Sequence, residues 1–166
     1  PMKAAALAIT VLLLLSPAAS ACSDPIVPSF QENLARAEHI FVFRLTSLEL
    51  ADSYPWPSNL KGNINIVRVL KGAAPATAKV ALEGSCCGIK LVVGRYYLAV
   101  LESDPDVLRL LPGDQSILDV TDDFKAGEPG RAPNPYGVWP VQQYLLGHAL
   151  PADYPSEYQL ESTLSE

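Results

Sequence analysis

The segment GSCCGIKLVVGRYYLAVLE, residues 84–102, carries two adjacent cysteines followed by a strand pattern. Residues 95–102 are apolar at both odd and even positions. Alternate residues of a strand point to opposite faces, so this pattern indicates a strand that is buried on both sides. The segment therefore predicts a central strand of a sheet, preceded by a connection that contains Cys86 and Cys87.

Strand patterns also lie on both sides of this segment, at residues 39–50, 63–72, 77–83, 106–113 and 115–120. The apolar side chains of the first pattern change parity after Leu45, and those of the second change parity after Ile66. A parity change within one strand is typical of a β-bulge, which also increases the curvature of the strand. Short, curved strands at this spacing predict a small barrel.

A short helix precedes the strands, within residues 28–40. Ser29 and Glu32 have the spacing of a capping box, and the apolar residues Phe30, Leu34 and Ala37 fall on one helical face. The predicted fold is therefore mainly β, a small barrel of five or six strands with a short N-terminal helix.

The C-terminal third has a different character from residue 122 onward. Residues 122–140 are rich in proline and glycine and predict a linker. Residues 140–150 predict a second helix, with Pro140 in its first turn. Its predicted apolar face is formed by Val141, Tyr144, Leu145 and His148. A polar tail follows. The predicted barrel domain spans residues 22–121, and the sequence leaves open whether the linker, helix and tail of residues 122–166 pack on it.

The first 21 residues predict a secretory signal peptide, because Lys3 is followed by a short apolar run and by the small-residue site Ala19-Ser20-Ala21. The run is shorter than the ~20 residues that cross a bilayer, and no later segment predicts a membrane span. Cleavage would make Cys22 the first residue of a secreted or periplasmic protein. The formal net charge of −6 argues against nucleic acid as a partner.

The three cysteines of the chain, Cys22, Cys86 and Cys87, would then all be exported to an oxidising compartment, which favours a disulfide. Cys22 is able to pair with either of the other two. A bond between the adjacent cysteines is disfavoured by disulfide geometry. On a strand the two adjacent side chains point to opposite faces, so only one of them can face Cys22.

No set of residues predicts catalysis or a bound cofactor. His39 and His148 lack neighbours at metal-ligand spacing, and the acidic run at 119–124 lacks the oxygen pattern of a calcium loop. We therefore expect a protein that is not an enzyme and has no metal site of its own. Residues 53–60, SYPWPSNL, place Trp56 between prolines. The indole either is exposed and anchors a protein partner or folds back over one end of the barrel.

In order, several segments resemble the netrin-like domain, the OB-type barrel of the tissue inhibitors of metalloproteinases and its bacterial relatives. The resemblance covers residues 22 to about 120 and includes Cys22-Ser23, HIFVFRLTSLE, INIVRVLKG and, most specifically, CGIKLVVGRYYLAV at 87–100. It implies a Cys22–Cys87 disulfide, with Cys86 as the spare thiol. It also implies that the α-amine and carbonyl oxygen of Cys22 chelate the zinc of a protease, with Ser23 in the specificity pocket.

The chain departs from the inhibitor pattern at Asp24, where the inhibitors have a second cysteine. Two other interpretations of the export region therefore stay open. Residues 19–22, ASAC, partly match a bacterial lipobox, in which case Cys22 would carry a lipid anchor and could form neither a disulfide nor a zinc chelate. Alternatively, the protein is a binding module that uses the barrel face or the 53–60 loop.

Overall fold

The computed structural model describes residues 27–51, 59–83, 89–103, 106–111, 113, 115–125 and 132–156. The elements in these residues are helix α1 (Phe30–Arg36), strands β1 (His39–Leu50), β2 (Asn59–Lys71), β3 (Lys79–Glu83), β4 (Tyr96–Leu101), β5 (Leu108–Leu110) and β6 (Ile117–Asp119), a 3-10 turn (Thr121–Phe124) and helix α2 (Val138–Leu145). None of the helices in the described ranges has the length and apolar character needed to span a membrane.

The six strands form one sheet in the order β5-β3-β2-β1-β4-β6. Strands β3 and β5 pair in parallel, and the other neighbours pair antiparallel. The two outermost strands, β5 and β6, are close in sequence, so the chain passes from one edge of the sheet to the other within residues 111–116. The fold is mainly β, a curled half-barrel consistent with the predicted small OB-like barrel.

The inside of the curl is one apolar core to which every strand contributes. Its aromatic centre consists of Phe41, Phe43 and Tyr97. The ring centroids of Phe41 and Phe43 are 6.1 Å apart, and those of Phe43 and Tyr97 are 5.5 Å apart. The aliphatic members of this inner core are Leu45, Ile64, Val80, Leu82, Leu108, Leu110 and Ile117. Because the core draws on both outer strands, it keeps the sheet curled.

A second core lies on the opposite face of β1, β4 and β6, where both helices pack. It joins residues of these strands to Phe30 and Leu34 of α1, Val138 and Val141 of α2, and Tyr154. Strand β4 is therefore covered on both faces, and its four central residues are buried. This confirms the prediction that residues 95–102 contain a strand buried on both faces. It also explains why apolar and polar residues do not alternate along this strand.

The two predicted parity changes correspond to register shifts between β1 and β2. Leu45 pairs with Ile64 and Ser47 with Asn63, so Thr46 is the extra residue of a bulge. After this bulge Leu48 packs against the same inner core as Leu45, although the two residues differ in parity. A second shift skips Val67 in β2. The predicted bulges are confirmed.

Helix α1 has the predicted capping box. The Ser29 side chain accepts a hydrogen bond from the Glu32 backbone, and the Glu32 carboxylate accepts one from the Ser29 backbone at 2.8 Å. The backbone bond from Ser29 lowers the pKa of Glu32. Phe30, Leu34 and Ala37 are buried, as the pattern predicted.

Helix α2 begins at Val138 and ends before the predicted limit. The amides of Gly147 and His148 bond back to the carbonyls of Tyr144 and Gln143, at 2.9 and 3.1 Å, in a Schellman motif. His148 consequently lies beyond the helix, and Leu145 is exposed. The predicted apolar face was wrong for His148, because the left-handed Gly147 ends the helix before it, and for Leu145, which lies in the last helical turn with its side chain exposed.

Asp123 attaches α2 to the barrel. Its carboxylate accepts hydrogen bonds from the Val138 amide at 2.6 Å and from the Asn134 side chain at 2.8 Å. The Tyr154 hydroxyl donates a hydrogen bond to the Gly137 carbonyl oxygen at 2.9 Å. Burial of the phenol raises the pKa of Tyr154, and the negative charge of Asp123 raises it further. Residues 132–156 therefore pack on the barrel.

We expect Asp123→Ala to lower the free energy of unfolding by about 2 kcal/mol, because it removes a charged acceptor from a helix N-terminus. Urea denaturation followed by circular dichroism measures the change. Asp153→Ala is the matched control, since Asp153 is exposed and accepts a hydrogen bond from Tyr136, which is also exposed. Equal stability of the two variants would contradict the role given to Asp123.

Candidate partner-binding surface

The residues that the sequence singled out for binding lie outside the described residues. This applies to Cys22, Ser23, Trp56 and Cys87, and to the spare thiol Cys86. The Cys22–Cys87 disulfide therefore stays a prediction. The structure describes the strand ends that border residues 52–58, which contain Trp56, and residues 84–88, which contain Cys86 and Cys87.

The segment predicted to bind a partner through Trp56 and the segment with the adjacent cysteines start from neighbouring strand ends. Residues 52–58, which contain Trp56, connect β1 to β2, where Leu50 pairs with Leu60. The segment 84–88, which contains Cys86 and Cys87, follows β3. The last residue of β3, Glu83, pairs with Asn59, the first residue of β2. Loops that leave adjacent strands at one end of a barrel are a common location for binding residues.

A turn at residues 91–94, before β4, was not singled out by the sequence patterns as a surface feature. The Gly94 amide donates to the Leu45 carbonyl at 2.7 Å, and the Leu45 amide donates to the Arg95 carbonyl at 3.0 Å. The Val92 amide donates to the hydroxyl of the buried Tyr97 at 2.8 Å. These bonds tie the turn to β1 and β4. Gly94 has the positive φ of 94° that the turn requires.

Charged and aromatic side chains surround this turn. Arg44 donates its Nε hydrogen bond to the Gly94 carbonyl at 3.2 Å and lies 5.7 Å from the ring centre of Tyr96. That ring stacks on Phe124 at 4.4 Å. On the other side, Arg95 forms an ion pair with Asp119 at 2.6 Å. The turn is therefore a fixed part of the surface.

The histidine and carboxylates that the sequence drew attention to have structural partners. His39 Nδ1 accepts the Ala73 amide at 2.9 Å, so this ring supports the turn after β2. Asp122 pairs with Lys125 beside a groove of about 420 Å³ that Asp119 and Asp153 also line. Within the described ranges, no three histidine, cysteine or carboxylate residues are grouped as metal ligands.

No protein-family model matches the chain, and no curated protein shows significant similarity to it. The fold and the surface of the described residues are therefore the basis on which a function is assigned. Among the described residues, the end of β1, the start of β2 and the end of β3 lie together at one end of the barrel.

Proposed function

We propose that the chain is an exported, netrin-like binding module that acts through protein–protein contacts at this end of the barrel. The observation that supports the proposal is the pairing of Asn59 with Glu83, since it puts the bases of the Trp56 loop and of the Cys86-Cys87 segment side by side. Segments that leave a rigid scaffold from neighbouring strand ends can contact the same partner.

The finer proposal is inhibition of a zinc metalloprotease by the mature N-terminus. A catalytic zinc has an open position that a nitrogen or oxygen donor can take in place of water. In the proposed complex the Cys22 amine and carbonyl oxygen chelate the zinc, and Ser23 enters the specificity pocket. A Cys22–Cys87 disulfide would fix these donors and reduce the entropy lost on binding.

The packing of the residues that follow Cys87 supports this role for the disulfide. Ile89 and Leu91, which follow it within four residues, pack against the inner core. A bond at Cys87 would therefore join the N-terminus to a segment that the barrel holds. The lipoprotein alternative uses the same residue, since lipid on the Cys22 sulfur excludes the disulfide, and an acylated amine cannot chelate.

The test compares the mature chain that begins at Cys22 with a variant that has one alanine before Cys22. The assay is inhibition of a secreted zinc metalloprotease catalytic domain acting on a fluorogenic peptide. We expect the extension to weaken inhibition at least about 100-fold, because it removes the free amine from the zinc and a lost metal contact costs several kcal/mol. Equal inhibition by both forms would refute chelation.

Two controls accompany this test. Cys86→Ser should inhibit as the parent does, whereas Cys87→Ser should lose both inhibition and thermal stability; the reverse result would assign the disulfide to Cys86. The intact mass of the protein from its native host shows whether Cys22 carries lipid. A diacylglyceryl mass on Cys22 would favour the anchored binding module without inhibitory activity.

A further inference from the structure

The imidazole of His39 lies against the backbone of Ala73, in the turn that follows β2. Its Nδ1 atom is 2.9 Å from the Ala73 amide nitrogen and 3.3 Å from the Ala73 carbonyl oxygen. One ring nitrogen is therefore within hydrogen-bond reach of both the donor and the acceptor of a single residue. The protonation state of the ring decides which of the two bonds this nitrogen can form.

The neutral and the protonated ring use Nδ1 in opposite roles. When the ring is neutral and carries its proton on Nε2, the Nδ1 lone pair accepts the hydrogen bond that the Ala73 amide donates. In the imidazolium both ring nitrogens carry protons, so Nδ1 is a donor and loses this bond. The acceptor within its reach is then the Ala73 carbonyl oxygen.

Gly72 gives the peptide bond before Ala73 the freedom to change its orientation. The glycine has a positive φ of 62°. A Cβ at this position would overlap the Glu38 carbonyl oxygen and lie 2.7 Å from His39 Nδ1. Only a residue without a side chain lets the backbone come this close to the ring, and glycine also has the widest choice of backbone angles. The Ala73 amide can therefore turn away from the ring at low conformational cost.

The later residues of the same connection are held by other contacts. Ala74 packs against the inner core, and Pro75 is buried. The Thr77 amide donates to the Asp106 carbonyl oxygen at 3.2 Å, just before β5. A change in the bonding of the ring is therefore confined to the first two residues of the connection, and the sheet on either side of it stays paired.

The charged groups on the elements around His39 are balanced in sign. Glu38 precedes it, and Lys71 ends the neighbouring strand β2. On the side of β4, Arg36 at the end of α1 forms an ion pair with Glu102 at 2.8 Å. Residues 72–77 of the turn contain no charged side chain. Among ordinary side chains only imidazole changes charge between pH 5 and 8, and this ring is partly exposed to solvent.

We propose that His39 is a pH-dependent switch of the turn after β2: the neutral ring accepts the Ala73 amide, and the protonated ring donates to the Ala73 carbonyl oxygen. Acidification reorients the peptide bond between Gly72 and Ala73 and releases one amide to solvent, while the sheet stays folded. No partner or ligand enters this inference, so it stands independently of the proposed function.

Nuclear magnetic resonance of the isotope-labelled chain between pH 8 and pH 5 tests the switch. We expect the His39 ring to carry its proton on Nε2 at the upper pH, and the Ala73 amide signal to titrate with the same midpoint as the ring. Corrected for the intrinsic effect of pH, protection of the Ala73 amide from hydrogen exchange should fall about fivefold, since a hydrogen bond contributes about this factor. The Thr77 amide should keep its protection.

Two variants separate the switch from other effects of acid. His39→Asn places a side-chain oxygen near the position of Nδ1 as an acceptor that does not titrate, so the Ala73 amide should stay protected throughout. His148→Asn is the matched control, because it removes the other histidine of the chain and should leave the Ala73 titration unchanged.

Four outcomes would overturn the proposal. The first is an Ala73 amide that does not titrate with the His39 ring in the parent chain, and the second is an equal titration in His39→Asn. The third is loss of the titration in His148→Asn. The fourth is a neutral His39 ring with its proton on Nδ1, because that nitrogen would then donate at every pH. The first and fourth are measured on the parent chain, so they test the switch even if His39→Asn fails to fold.

Discussion

Gly62→Ala is expected to lower the free energy of unfolding by about 3 kcal/mol. Gly62 is buried in β2 opposite Leu48, directly after the bulge at Thr46. A methyl group at this position would overlap the Ser47 carbonyl oxygen and approach the Leu48 side chain to 3.0 Å. The main obstacle is backbone that is bonded into the sheet, so neither strand can move aside without breaking its pairing.

Chemical denaturation followed by circular dichroism measures this effect, and Gly147→Ala is the control. Gly147 has a positive φ but nothing within 4 Å of an added Cβ, so its substitution costs only the conformational strain, about 1 kcal/mol. A Gly62→Ala variant no less stable than Gly147→Ala would mean that the bulged pairing of β1 and β2 is looser than described.

The bulges that require Gly62 are also the part of the fold that the sequence predicted best. Parity depends only on the order of apolar residues along one strand, and a parity change after Leu45 or Ile66 is readable without knowing the partner strand. The capping box of α1 is equally local, since Ser29 and Glu32 are three residues apart. Features of this kind are encoded within a few residues, and the structure confirms them.

The contacts that hold α2 and the turn at 91–94 on the barrel were not predictable in the same way. Asp123 holds a helix that begins 15 residues later, and the Tyr97 hydroxyl holds a turn through a backbone amide. Neither contact leaves a periodic pattern, because each one depends on where two separate elements meet. An acidic run, such as the one containing Asp123, has the composition of a solvated loop, and only the fold distinguishes the one carboxylate that caps a helix.

Removal of the Asp119 carboxylate is expected to have an equal or larger effect, about 3–4 kcal/mol for Asp119→Ala. Asp119 ends β6 opposite Tyr97 of β4, and its side chain is 3% exposed. One oxygen pairs with Arg95 at 2.6 Å, and the other accepts the Thr121 amide at 2.9 Å. The substitution would leave a largely buried guanidinium without this carboxylate and an amide without this acceptor.

The exposed pair Lys61–Glu49 is the internal comparison, because its atoms are 3.6 Å apart and both side chains are more than half exposed. Glu49→Ala should change stability by less than about 0.5 kcal/mol, as solvent screens such pairs. In a double-mutant cycle, Arg95→Met with Asp119→Leu should recover most of the loss, since an apolar pair avoids the buried, unmatched charge. If Asp119→Ala were no worse than Glu49→Ala, the buried pair would contribute nothing to the attachment of β6.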